Sequence, residues 1–112
     1  MADFTPHTET LSLTLLKSKD KDMKAAEKLA HKGQLVSARK EYQYIYKKDQ
    51  LFEAGYNAAL LYEAMEEYEA ALELMQKVWK DSGDTRAKEK IRELEKEVEA
   101  AERLRNQKKK SN

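Results

Sequence analysis

The residues of this chain that could carry out chemistry are few and lie far apart. The sequence holds two histidines, His7 and His31, and no cysteine. A zinc or catalytic site needs partner residues at set spacings, and neither histidine belongs to an HxxxH or HExxH pattern. The three glycines, Gly33, Gly55 and Gly83, are isolated and so cannot form a phosphate-binding loop. The sequence therefore predicts no catalytic residue, no metal site and no cofactor, and we expect a protein that is not an enzyme.

The acidic and aromatic residues have structural explanations. Alternating tyrosines on a basic segment could stack on nucleic-acid bases. However, Tyr42 and Tyr46 lie four residues apart, on what we interpret as the buried face of a helix, and this leaves Tyr44 alone. We therefore expect no nucleic-acid partner. Four glutamates near the C-terminus are expected to form a solvated helix face, because no apolar pocket surrounds them to raise their pKa: Glu93, Glu95, Glu97 and Glu99.

Composition indicates a helix-rich protein of one domain. The chain has 112 residues, 40% of them apolar and 38% charged, with one proline. Its 22 basic and 21 acidic residues nearly cancel, so no overall field favours nucleic acid. The apolar stretches are too short to span a membrane. Residues 1–16 do not resemble a signal peptide, so the cytoplasm is the default expectation, or the cell envelope if the chain comes from a longer precursor.

Small and large apolar residues recur at a constant offset, the one that separates Ala26 from Ala59. At this offset small residues align with small ones and large apolar residues with large ones. The aligned pairs are Ala26 with Ala59, Leu29 with Tyr62, Leu35 with Tyr68, Ala38 with Ala71, Tyr42 with Met75, Ile45 with Val78 and Tyr46 with Trp79. A period of this length is typical of stacked helical hairpins.

Periodicity within each repeat predicts five helices, over residues 20–32, 35–47, 51–65, 68–80 and 85–107. Asp20 or Asp22 is expected to cap the first helix, and Gly33 to end it. The last helix carries a narrow apolar stripe, which we expect to cover Leu72, Met75 and Trp79 of the preceding helix. Its members are Ala87, Ile91, Leu94, Val98, Ala101 and Leu104. The basic residues 108–112 are expected to be a disordered tail.

Residues 1–19 differ from the rest and are interpreted as an extended N-terminal arm. The segment from Thr8 to Leu16 alternates polar with apolar residues, as a half-buried strand does. In one interpretation the arm lays its leucines on the helical body. In the other it is the last strand of an upstream domain, or an edge that pairs with another chain.

At this point the sequence resembles the tetratricopeptide repeat family. The resemblance rests on three segments of the second copy: YNAALLY at 56–62, YEAAL at 68–72 and QKV at 76–78. The first copy fits more loosely but keeps the turn glycine, Gly33, which the second copy replaces with Glu66. Neither copy ends in the proline usual in the family. The resemblance implies an all-α fold: a fragment of an α-solenoid, with two hairpins and a long capping helix over residues 20–107.

Members of this family bind protein or peptide segments on a concave surface, so the resemblance implies a non-enzymatic interaction module, a scaffold or adaptor. Asn57 matches a family position that often bonds a ligand's backbone, and its replacement is expected to affect binding rather than folding. A clamp for a C-terminal carboxylate is not expected, because Met23 and Glu27 stand where that clamp needs lysine and asparagine. By position, the concave surface would show Asp20, Glu27, His31, Glu53, Tyr56, Asn57, Leu60, Arg86 and Lys90.

Two other functions are compatible with the sequence. The apolar stripe of the last helix could form the seam of a homodimer, with the basic residues 17–48 of one chain facing the acidic residues 53–81 of the other. The chain could also be the C-terminal module of a larger bacterial envelope protein, to which the strand-like arm would lend weak support.

Overall fold

Helices dominate the part of the chain that the structure describes. The computed structural model describes residues 15–111, with side chains as far as residue 107. It contains α1 (Lys21–His31), α2 (Leu35–Asp49), α3 (Phe52–Ala64), α4 (Tyr68–Ser82) and α5 (Thr85–Ser111). Within that range there is no strand, which confirms the all-α prediction. The alternating segment from Thr8 lies outside the described residues except for Leu15 and Leu16, and His7 lies outside them as well.

The helix ends repeat at the same offset as the sequence. α2 begins and ends at positions 35 and 49, and the same offset leads to positions 68 and 82, where α4 begins and ends. Residues with left-handed backbone follow the same rule. They fall in two pairs related by this offset, Gly33 (φ 83°) with Glu66 (φ 63°), and Gln50 (φ 55°) with Gly83 (φ 69°). The repeat in the sequence is thus also a repeat of backbone conformation.

Burial follows the repeat in most of the aligned pairs. The small residues Ala26, Ala38, Ala59 and Ala71 are all fully buried, so the helix backbones can approach closely at these points. The large residues Tyr42, Ile45, Met75 and Val78 are buried in the same core. The last pair departs from the pattern, because Tyr46 is buried whereas Trp79 is 38% exposed. The prediction that the last helix covers Trp79 is therefore wrong.

The extensive helix contacts join neighbours along the chain, α1 with α2, α2 with α3, α3 with α4 and α4 with α5. Gly55 of α3 makes one of these contacts possible. A Cβ atom on Gly55 would lie 2.6 Å from Val78 Cγ2 and 2.8 Å from Tyr46 Cδ1, inside van der Waals contact. The absence of a side chain therefore lets α3 fit closely between α2 and α4, a role that the spacing of the glycines did not predict.

α5 closes the core with a few residues near its beginning. Ala87 and Leu94 are fully buried, and Ile91 is partly buried against the core, whereas Leu104 is 61% exposed. The helix also runs past its predicted end at residue 107, as far as Ser111. Most of the segment expected to be a disordered tail is therefore helical backbone.

Glu66 carries a conformational cost that its counterpart Gly33 avoids. Both residues end a helix in the left-handed conformation, and the following amide donates back to a carbonyl: Gln34 to Leu29 at 3.0 Å, and Glu67 to Tyr62 at 2.9 Å. A residue with a Cβ atom is disfavoured there by roughly 1 kcal/mol. We expect Glu66→Gly to raise the free energy of unfolding by about that amount in urea titrations. Glu67→Gly is the control, since φ of Glu67 is −95° and glycine relieves nothing there; equal stabilisation by both changes would contradict the explanation.

Candidate functional site

Asn57 is the most unusual polar residue of the helical body. Its side chain is fully buried, and both of its polar atoms bond the main chain of a single residue, Leu16. The Leu16 N–H donates to Asn57 Oδ1 at 2.8 Å, and Asn57 Nδ2 donates to the Leu16 carbonyl at 2.8 Å. Behind it, burial raises the pKa of Tyr42 to about 12, and the adjacent Asn57 partly opposes this shift. Asn57 thus binds the main chain of a residue in its own chain.

The residues beside Leu16 are held as well. Leu15 is 4% exposed and belongs to the hydrophobic core. Lys17 Nζ lies 3.5 Å from a carboxylate oxygen of Glu27, and the same oxygen lies 3.7 Å from His31 Nε2. Two of the residues predicted to line the concave surface, Glu27 and His31, therefore lie on α1 next to the segment 15–17. In one interpretation of the sequence, the leucines of the arm pack on the helical body. Leu15, the first of the described residues, is buried in this way.

Asp20 has a structural role at the start of α1. Its Oδ1 accepts hydrogen bonds from the amides of Asp22 at 2.8 Å and Met23 at 3.2 Å, so it is the N-cap, as one of the two predicted possibilities had it. Its carboxylate is thereby aimed at the helix end.

A cleft lies between α3 and the first turns of α5. It has a volume of about 320 Å³ and is lined by Tyr56, Leu60, Arg86, Glu89, Lys90 and Glu93. Four of these six were predicted to line the concave surface: Tyr56, Leu60, Arg86 and Lys90. Tyr56 and Leu60 lie one helical turn apart on α3 and supply apolar area, while α5 supplies the charges. The structure therefore brings these four residues together in one cleft, and Asn57 directly follows Tyr56 on α3.

The cations at the cleft are positioned by neighbouring groups. Arg86 is held by Asp84 through two hydrogen bonds, from Nε at 3.0 Å and from a terminal nitrogen at 2.8 Å. Its guanidinium lies 4.6 Å from the ring centre of Phe52, which in turn lies 5.5 Å from the ring of Tyr56. The hydrogen bond to Asp84 is the main reason why the pKa of Arg86 is raised, with a smaller contribution from Glu53. Arg86 is therefore a fixed positive charge at the rim.

Lys90 connects the cleft to a half-buried acidic group. Its Nζ lies 2.9 Å from Glu63 and 3.1 Å from Glu93. Behind this pair, burial and then the Glu63 carboxylate raise the pKa of Glu97 from 4.5 to about 7, although Lys90 opposes the shift. The expectation that Glu97 belongs to a fully solvated face is therefore wrong. The reason is tertiary, because Glu63 comes from α3 and lies close to Glu97 only after α5 has packed.

This raised pKa predicts how stability changes with pH. Glu97 keeps its proton in the folded state up to about pH 7 but loses it near 4.5 when unfolded. Its contribution is thus fully present below pH 4.5 and is lost as the pH rises through 7. The charged or titratable groups that face it are Glu63, Glu93, Lys90 and Tyr68.

We expect the melting temperature to fall between pH 5 and pH 8, and Glu97→Gln to remove most of that fall. Thermal melts followed by circular dichroism measure both. Glu95→Gln, on an exposed position of the same helix, is the matched control and should keep the pH dependence of the original protein. A Glu97→Gln profile as steep as that of the original would contradict the assignment.

Sequence reasoning missed several residues of this site. Phe52 and Glu63 were not among the predicted surface residues, although Phe52 contacts Arg86 and Glu63 pairs with Lys90. Glu63 could have been found from its position, because it lies two helical turns after Tyr56 on the same helix face. The occupation of Asn57 by Leu16 had no local signal, since the two residues are 41 positions apart.

Comparisons of the chain with protein-family models, with curated proteins and with solved structures found no match. Within residues 15–111, no cluster of three or more histidine or acidic side chains is arranged to hold a metal ion. None of the described helices is both long and apolar enough to cross a bilayer. Function is therefore inferred from the geometry of the groove, by which we mean the cleft together with Asn57 and the α1 residues Glu27 and His31.

Proposed function

We propose that this protein is a non-enzymatic interaction module of the tetratricopeptide type, which binds an extended segment of a protein partner in the groove. The repeated helix ends and the two pairs of left-handed residues support the solenoid arrangement, because both recur at the offset of the sequence repeat. α5 then acts as the capping helix of two stacked hairpins.

The observation that carries the proposal is the composition of the cleft. Tyr56 is half-buried and Leu60 almost fully so, and they form an apolar floor between the fixed charges of Arg86 and Lys90. An aromatic anchor surrounded by charged rim residues is typical of protein-binding sites. Such a cleft favours a segment with one apolar side chain for the floor and polar or charged residues on either side.

Selected peptides provide the test. A displayed library of random peptides is selected on the full chain, and the affinity of the recovered peptides is measured by fluorescence anisotropy. We expect Tyr56→Ala to weaken their binding at least about tenfold, because the ring supplies much of the buried contact area. Tyr44→Ala is the matched control, since Tyr44 is 59% exposed on α2 and should leave the affinity unchanged.

Thermal melts of both variants separate a loss of binding from a loss of folding. Selected peptides that bind folded Tyr56→Ala as tightly as the original protein would place the site elsewhere. Failure to recover any peptide that binds specifically would count against the proposal as a whole.

The homodimer alternative receives no comparable support. Leu94, the centre of the apolar stripe proposed as its seam, is fully buried in its own chain, and Ile91 packs against the same core. The stripe is thus largely used within one molecule.

A further inference from the structure

We propose that residues Leu15–Lys17 are a ligand that the protein carries in its own chain. On this view, external segments compete with it by offering the same pattern: a bulky aliphatic residue, a residue read through its main chain, and a basic residue. The inference rests on the proposed function and names the chemistry of the partner and its competitor.

Asn57 binds the middle residue of the pattern through its main chain, so the side chain at that position does not matter. Asn57 bonds both the N–H and the carbonyl of Leu16, each at 2.8 Å, so it satisfies both backbone polar groups of one residue. A carboxamide is suited to this because it offers one acceptor and one donor side by side. Any residue with a free N–H could form both hydrogen bonds with Asn57, which we call the clamp. Proline could not, because it lacks the N–H.

The flanking positions supply selectivity. Leu15 is 4% exposed within the core, so the pocket that receives it favours a large aliphatic side chain. Lys17 lies 3.5 Å from Glu27, but its own side chain is 79% exposed. An exposed ion pair adds little affinity, so this contact mainly fixes the direction in which the segment lies.

The short connection to α1 gives the internal segment its advantage. Two residues, Ser18 and Lys19, separate Lys17 from the N-cap Asp20, and the Ser18 hydroxyl accepts a hydrogen bond from the Asp20 amide at 3.2 Å. A ligand tethered this closely acts at an effective concentration in the millimolar range or above. An external segment therefore has to bind more tightly than the internal one to occupy the groove.

The test uses a labelled peptide of residues 11–20, LSLTLLKSKD, and the full chain. Leu16→Pro removes the N–H that donates to Asn57 Oδ1. The internal segment should then leave the groove. We expect the peptide to bind Leu16→Pro at least tenfold more tightly than the original protein. Lys19→Ala, at an exposed position outside the clamp, should bind it as weakly as the original. A peptide with N-methyl leucine in the clamped position lacks the N–H and should not bind.

A second measurement covers the case in which Leu16→Pro does not fold. On the original protein, hydrogen exchange of the Leu16 amide is followed by NMR while the peptide is added in excess. Displacement should speed this exchange at least severalfold, and the N-methyl peptide should leave it unchanged. Equal affinity of the peptide for the original and for folded Leu16→Pro, or exchange that does not respond to the peptide, would overturn the inference.

The two proposals fail in different ways. If library peptides bind through Tyr56 but do not compete with the 11–20 peptide, the groove binds proteins and the internal-ligand inference is wrong. If the 11–20 peptide binds the freed groove while no library peptide does, Leu15–Lys17 is an internal ligand, but the proposed function fails and with it the competition by external segments.

Discussion

Leu94→Ala is expected to lower the free energy of unfolding by about 2 to 5 kcal/mol. Leu94 is fully buried, where α5 packs on α4, and it belongs to the same hydrophobic cluster as Met75 and Val78. Removing its side chain takes away apolar contacts and leaves a cavity that the rigid neighbours fill only in part. For a chain of this size the loss is a large fraction of the total stability. Urea unfolding followed by circular dichroism measures it.

Leu104→Ala is the matched control for this prediction. It makes the same substitution in the same helix, but Leu104 is 61% exposed, so we expect a change within about 0.5 kcal/mol. If both variants lost similar stability, the burial of Leu94 would not explain its cost, because alanine is itself a better helix former than leucine. If neither lost any, α5 would not contribute to the core as the structure has it.

Asn57→Ala is expected to cost about 1 to 3 kcal/mol. The substitution removes two hydrogen bonds of 2.8 Å and leaves the N–H and the carbonyl of Leu16 without their partners in a partly buried place. An unsatisfied buried polar group costs more than the hydrogen bond itself contributes. From these contacts we expect replacing Asn57 to affect folding, whereas the sequence alone predicts an effect on binding that spares folding.

Asn106→Ala provides the control, because Asn106 is exposed on α5 and loses no buried contact. We expect its urea midpoint to match that of the original protein. Amide exchange locates the effect: in Asn57→Ala the Leu16 amide should exchange faster, whereas amides in the middle of α4 should follow only the global change in stability. An Asn57→Ala variant as stable as the original, with Leu16 still protected, would show that the two bonds do not hold the segment.

The sequence by itself determined the secondary structure and the repeat. Helix periodicity and turn residues act over a few positions, so the starts of α2 and α4 were predicted to the residue, at Leu35 and Tyr68. The cap Asp20 and the turn at Gly33 are equally local. Four of the six cleft residues, Tyr56 and Arg86 among them, came from the resemblance to a family. The period of the sequence says only which face of a helix is apolar.

The tertiary structure decided which groups meet across the chain. Leu16 lies 41 positions from Asn57, and nothing near either residue indicates the pair. The role of Gly55 depends on side chains of α2 and α4, which lie too close to leave room for a Cβ atom. The raised pKa of Glu97 likewise depends on burial and on Glu63, which belongs to another helix. Trp79 aligned with a core tyrosine yet stays 38% exposed, whereas Tyr46 is 5% exposed. Periodicity fixes the direction of a side chain within its own helix, but burial, pKa and hydrogen bonding depend on what the neighbouring helices bring to that side chain.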